Sequence, residues 1–260
     1  MVVNVLGHPN HINKIKKICK KYKVILIEDS CGALGTIVNN KQIGTDGVAT
    51  SSSFYYGHHI STIEGGMVTT NDYNLYNLML SIRSHGWSRD LDKRFCKKLI
   101  DKYKIDEFRN LYTFYYPGYN FRSTDLNAYL GLGQIKKINK ISNVRNNNFY
   151  HYKKNLDDFW CQESLSSFIS SFAFGTLVTN RLEVYRHLKK YKIETRPLVC
   201  GNIGRHPFWT NKYGKQKLKN ADIVHDYGLY LPNNFNLKKK DINYICNKFK
   251  EIAIPKFFKK

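Results

Sequence analysis

An α/β fold follows from three neighbouring stretches at the start of the chain. Val2 to Leu6 is a short apolar run. Pro9 to Tyr22 places Ile12, Ile15, Ile18 and Tyr22 at helical spacing with lysines between them, and Val24-Ile25-Leu26-Ile27 reads as a buried strand. Strand, helix and strand within about 28 residues make a βαβ unit, which calls for a parallel sheet flanked by helices. Thr36 to Ile43 then reads as a hairpin around Asn39-Asn40, with further strands at Val48 to Tyr55 and Met67 to Thr70. Asn71-Asp72 caps a helix running to about Arg83, which Ser84-His85-Gly86-Trp87 ends. Arg89 to Leu111 is basic and mixed, and reads as a mobile insertion. Ser123 to Asp125 forms the N-cap of a long helix with Leu126, Leu130 and Ile135 on one face. The rest predicts a smaller α/β unit: the end of the long helix, strands near Phe172 to Val178, a helix at Arg181 to Tyr191, a strand ending at Arg196 and a last helix at Lys239 to Phe249. The expected division is a large domain at 1–141 and a small one at 142–260.

Composition bounds the function. With 42% hydrophobic and 14% aromatic residues in 260, the chain can bury a real core. No apolar run approaches the roughly 18 residues a bilayer span needs, and the start lacks a signal-peptide pattern. The expectation is a cytoplasmic protein with no membrane role; the Lys, Asn, Ile and Tyr usage fits an AT-rich genome, so host cytoplasm or a virion is included. Six scattered cysteines without a C-x-x-C pair argue against a zinc site and a disulfide framework. No metal and no iron–sulfur cluster is expected. The net charge of +22 raises nucleic-acid binding as an alternative, but the lysines are dispersed and none lies in a nucleic-acid motif, so solvated surface is the preferred reading. A positive field also attracts a nucleotide-linked sugar.

The chemistry is expected at Ser53-Phe54-Tyr55-Tyr56-Gly57-His58-His59-Ile60-Ser61-Thr62-Ile63-Glu64-Gly65-Gly66, where a hydroxyl, two imidazoles, a carboxylate and a glycine pair converge as a hydrophobic run breaks off. Gly65 and Gly66 allow the next strand to pass close by. Glu28 and Asp29 end the second strand, the edge at which α/β folds bind ligands, although a strand-end Asp also reads as a cap or turn residue. Ser53 reads equally as an ordinary strand hydroxyl and Asn120 as a turn residue.

The pattern S-F-x-x-x-[K or H]-x-x-x-x-x-E-G-G resembles the cofactor-lysine segment of the DegT/DnrJ/EryC1/StrS family of pyridoxal-phosphate (PLP) sugar aminotransferases. His58 holds the lysine position, as in the family's sugar 3-dehydratase branch, which has a similar His-His-Ile run. Tyr56 stands where a proline is common and Ile63 where a glycine is common, so the loop is expected to differ in conformation. Ile27 to Gly35 resembles the E-D-x-x-x-A-x-G motif, Tyr115 to Leu126 the G-Y-N-x-R-x-x-D segment, and Thr195 to Asn202, with His206-Pro207-Phe208-Trp209 after it, the dehydratase branch's R-x-L-x-x-G-N segment.

The resemblance implies a fold-type I PLP-dependent transferase fold, with a mostly parallel sheet flanked by helices and a smaller C-terminal α/β domain. It implies PLP or pyridoxamine phosphate (PMP) held non-covalently, Asp29 on the pyridine nitrogen, Ser53 on the phosphate, and Asn120 reaching the phosphate of a neighbouring subunit. His58 becomes the acid/base, while Arg196 and His206 sit on a loop closing over a nucleotide sugar. The family's opening segment, with its phosphate-cradling turn, has no counterpart, so the chain reads as N-terminally truncated. The expected reaction is loss of the C3 hydroxyl from a 4-keto-6-deoxy sugar nucleotide, in a homodimer or with a chain supplying the missing segment. The alternatives are an inactive paralogue and half of a split enzyme.

Overall fold

The computed structural model describes residues 1–163 and 165–258. β1 (Val2–Val3), α1 (Ile12–Tyr22) and β2 (Ile27–Asp29) form the expected βαβ unit, with Val2 opposite Glu28 in a parallel pair. The second strand starts later than the apolar run. Lys23 closes α1 in a left-handed conformation (φ 54°) and the Val24 N–H still bonds to the Cys19 carbonyl, so Val24 and Ile25 belong to the helix cap and are exposed. β3 (Ile37–Val38) and β4 (Lys41–Gln42) make the hairpin, and Asn39 and Asn40 take positive φ of 49° and 60°, as a two-residue primed turn requires. β5 (Ala49–Ser53) lies parallel to β2, and β6 (Gly66–Thr69) returns antiparallel on β5. The sheet order is β1-β2-β5-β6, parallel in two of its three pairings.

α2 (Tyr73–Arg83) is capped by Asp72, whose carboxylate accepts from the Leu75 N–H at 2.9 Å. The stretch from Arg89 to Leu111 is a correction to the loose insertion expected. It holds α3 (Lys93–Tyr103) and α4 (Glu107–Asn110), capped by Asp92 and Asp106. The i,i+4 pair Phe95 and Leu99, with Leu99 buried, carries α3 inward, a signal the surrounding lysines obscured. Thr124 caps α5 (Asp125–Ile135), and the expected long helix breaks at Lys136-Lys137 before α6 (Ile138–Asn155). The 141/142 division thus falls inside α6.

Beyond it come β7 (Ala173–Leu177), α7 (Arg181–Lys190), β8 (Arg196–Pro197), α8 (Pro207–Tyr213), α9 (Lys219–Tyr227), β9 (Gly228–Pro232) and α10 (Lys239–Lys250). This second sheet, β7-β9-β8, is wholly antiparallel. Its cover of α6, α7 and α10 encloses the main core, built on Phe149, Tyr152, Phe174, Leu188, Ile242 and Phe249. Leu6 from the first half packs with Ala173, Leu177 and Leu198, which joins the halves. Among the described residues no helix is long and apolar enough to cross a membrane.

Candidate functional site

The parallel pairing of β2 and β5 sets Asp29 opposite Ser51 and brings Ser53 to the same carboxyl edge of the sheet. Strand alternation sends Glu28 the other way. It is buried and its Oε1 accepts from the Asp46 and Gly47 N–H groups at 2.9 and 2.7 Å, so it holds a turn and is withdrawn from the ligand edge. Asp29 stays at the edge, where Oδ1 accepts from the Cys31 N–H at 3.0 Å. Ser53 Oγ accepts from the Tyr55 N–H at 3.3 Å, which leaves its hydroxyl hydrogen for another acceptor.

From Ser53 the chain loops out and back, with the Phe54 N–H on the Gly65 carbonyl and the Thr62 N–H on the Phe54 carbonyl. Asn127 of α5 clamps it by donating to the Thr62 and Glu64 carbonyls at 2.7 and 3.2 Å. A Cβ on Gly66 would lie 2.9 Å from the Ser52 carbonyl, so the return strand passes as closely as the glycine pair implied. Ile63 has φ 73°, a left-handed conformation in which a β-branched side chain is strained. The loop thus keeps a backbone suited to glycine despite the substitution.

His58 is half-buried, and its Nδ1 lies 2.6 Å from the Cys31 carbonyl. A carbonyl only accepts, so Nδ1 carries the hydrogen and Nε2 keeps its lone pair. Burial pushes the imidazole below its usual pKa, and the Arg145 charge acts in the same direction, against the Cys31 carbonyl and Asp29. The result is a neutral ring poised as a base. His59 differs: it is buried, Nε2 bonds to the Ser170 carbonyl at 2.8 Å, and burial brings its pKa down to about 3. The second imidazole of the pair is therefore a structural tie.

His58 lines a cleft of about 580 Å³. Across from it stand Phe172, whose ring centroid is 5.1 Å from that of His58, Tyr230, Asn233 and the ion pair of Arg196 with Glu194 at 2.5 Å. Asp29 and Ser53 lie beside the cleft, outside its lining, on the strand edge from which the His58 loop departs. Asn120 is remote: it bridges to Ser84, and its Oδ1 accepts from Arg122 Nε at 3.3 Å. His206 is also outside the cleft, with Nε2 2.7 Å from the Cys200 carbonyl. Its loop is drawn onto α9, where Asn202 donates to Asp222 at 2.8 Å and Arg205 pairs with Asp226 at 2.8 Å. Of the Thr195 to Asn202 segment only Arg196 reaches the cleft.

Arg145 is the residue that sequence reasoning missed. It is 3% exposed, lines the cleft, and through Nη1 donates to the carbonyls of Ser171, Phe172 and Asn233. A signal existed, since Arg145 shares a helix face with Ile141, Phe149 and Tyr152, a cation where the period calls for an apolar side chain.

The DegT/DnrJ/EryC1/StrS aminotransferase family model matches residues 1–250. The chain belongs to that family. It is 32% identical over 241 residues, 90% of this chain and 58% of the relative, to a GDP-4-keto-6-deoxy-D-mannose 3-dehydratase of Escherichia coli O55:H7. It is 30% identical over 247 residues to the Yersinia pseudotuberculosis protein of the same name, covering 90% of this chain and 62% of the relative. The chain therefore spans about three fifths of the length of these relatives. The solved E. coli GDP-4-keto-6-deoxy-D-mannose-3-dehydratase with bound hydrated PLP superposes with a TM-score of 0.86 at 30% identity, over 95% of this chain and 66% of that one. The fold is that of the fold-type I sugar aminotransferases and dehydratases. The donor set on this edge, a carboxylate on β2, hydroxyls on β5 and an imidazole on the adjoining loop, fits a protonated pyridine ring carrying a phosphate.

Proposed function

We propose that this chain takes part in 3-dehydration of a 4-keto-6-deoxy sugar nucleotide, with His58 as the base. The observation that carries the reading is the placement of His58, which stands at the lysine position and lines the cleft with Nδ1 tied to the Cys31 carbonyl, leaving Nε2 without a partner among the described residues. When bound non-covalently, PLP or PMP supplies a protonated ring that accepts electrons as the C3 hydroxyl departs. Asp29, at the strand edge, would pair with the ring nitrogen. The Ser53 hydroxyl would hold the phosphate, joined by Asn120 of the partner subunit. His58 Nε2 would be the base for the proton at the cofactor's C4′ carbon, a task that needs a base but no covalent anchor. Arg196, on the opposite wall, faces the nucleotide sugar.

Replacing His58 with Asn keeps a donor toward Cys31 but removes the base, and turnover should fall by about 10² to 10⁴-fold. The assay supplies PMP, an amine donor and 4-keto-6-deoxy sugar nucleotides. Because burial and Arg145 lower the His58 pKa in the unliganded chain, kcat/KM should hold as the pH falls to 6.5 and decline only below it. Turnover that survives His58→Asn refutes the role. A wild-type chain that associates but neither binds cofactor nor turns over substrate, alone or with a second chain, supports the inactive paralogue. Borohydride reduction that leaves a pyridoxyl group on a lysine near residue 58 restores the aminotransferase.

A further inference from the structure

Five charge-bearing side chains line the cleft: His58, His59, Arg145, Glu194 and Arg196. Both imidazoles are held toward neutrality, and Glu194 is taken by Arg196 through Nε and Nη2. Arg145 is left as a cation with no carboxylate partner among the described residues, although it is 3% exposed. Its three carbonyl acceptors all bind Nη1. Among the described residues Nε is sealed without a partner, whereas Nη2 has no hydrogen-bond partner but is not sealed. The guanidinium is thus anchored through Nη1, and Nη2 is the donor left for a ligand in the cleft that Arg145 lines. Phe172 is shared by the two functional groups, its ring 5.1 Å from His58 and 5.8 Å from the Arg145 guanidinium carbon.

Carbonyl dipoles satisfy donors but do not neutralise a buried charge, and an unpaired buried ion is destabilising unless something compensates it. Burial already depresses Arg145 to about 10. A ligand oxyanion is the compensation that the cleft admits, because the charged N–H groups left on Nη2 can donate to a carboxylate or phosphate oxygen. We infer that Arg145 is an oxyanion-recognition residue at the cleft wall, taking a carboxylate or phosphate oxygen of the bound ligand beside His58. The inference rests on the cleft being the ligand site, as the proposed function requires, but on no chemical step. An anion seated there would also offset the charge that depresses His58, so ligand binding should make His58 more basic.

The test uses the full chain without cofactor, so it is independent of turnover. L-Glutamate represents a carboxylate source, and inorganic phosphate and GDP the phosphate source. Calorimetric titration measures affinity, and proton NMR follows the His58 ring, assigned by its loss in His58→Asn. At least one probe should bind and move the His58 titration to higher pH. Arg145→Lys, which keeps the charge but has no second nitrogen to serve both the carbonyls and the ligand, should weaken that probe by about tenfold or more, while Lys97→Gln, at an exposed cation outside the cleft, changes it less than about threefold. Glutamate alone responding identifies a carboxylate, and phosphate and GDP responding identify a phosphate. The inference is overturned if no probe binds, if a saturating probe leaves the His58 titration unmoved, or if Lys97→Gln abolishes the response. Equal affinity in a folded Arg145→Lys also overturns it. Should that variant fail to fold, the wild-type titration and Lys97→Gln decide.

Discussion

β6 of the N-terminal sheet and β7 of the C-terminal sheet both carry apolar residues and bury them to opposite degrees. β7 is buried at every position, closed in by α6, α7 and α10. β6 is exposed at every position, with Met67 and Val68 half open, and α5, which clamps the site loop, buries no residue and exposes Leu126, Tyr129 and Leu132. The C-terminal half closes its core with its own helices, whereas the N-terminal half displays an apolar face of the kind that drives association. The site stands at the seam. His59 of the N-terminal loop bonds to the Ser170 carbonyl, His8 packs edge-on against Phe149 at 4.9 Å, and Thr36 donates to Gly7 while accepting from the Ser170 N–H.

The largest expected contrast is in side-chain truncation. Phe174→Ala should destabilise the chain by about 3–5 kcal/mol, and Val68→Ala by no more than about 0.5 kcal/mol, in urea unfolding followed by circular dichroism. Comparable losses would remove the distinction between the halves.

Acid should act on the seam. Burial holds His59 at about 3 and His8 at about 4, against 6.5 for an unperturbed histidine. Below 6.5 the unfolded chain binds protons that the folded chain refuses, so this stability is complete above 6.5 and is lost as the pH falls toward those values. The loss amounts to as much as about 1.4 kcal/mol per pH unit for each histidine. Urea midpoints between pH 7 and 4.5 measure it, and His59→Gln should flatten the slope by its share. A midpoint unchanged across that range would show that the two rings do not bind the halves together.

A smaller effect concerns the open face. We expect a second chain to cover it, another copy or one supplying further family sequence. Introducing a charge with Leu132→Lys should weaken self-association by about tenfold in sedimentation, while the unfolding midpoint at low concentration stays within about 0.5 kcal/mol. A lower midpoint without a change in association would place Leu132 in the chain's own core. The smallest change is at Ile63. Left-handed strain on a β-branched residue costs on the order of 1–3 kcal/mol, and glycine returns part of that gain as chain entropy, so Ile63→Gly should stabilise by about 1 kcal/mol. A loss of stability would mean that the side chain, although exposed, is held by contacts a glycine cannot replace.

What the sequence by itself determined is whatever neighbours within a few residues decide. The βαβ unit, the turn at Asn39-Asn40, the caps at Asp72 and Thr124 and the close pass at Gly66 all rest on local backbone geometry, which side chains report directly. The placement of Asp29 and Ser53 at one sheet edge, and of His58 on the adjoining loop, was legible because motif spacing carries them there. The start of β2 was misread because apolar residues alone do not show that Lys23 and Val24 still finish a helix. Only the tertiary structure tied Glu28 to the Asp46-Gly47 turn, turned His59 into a tie and drew His206 away with α9. It also brought Arg145, Phe172, Arg196 and Tyr230 to His58. These residues lie far apart in the chain, and their meeting depends on how α6, β7, β8 and β9 pack, which no local pattern encodes.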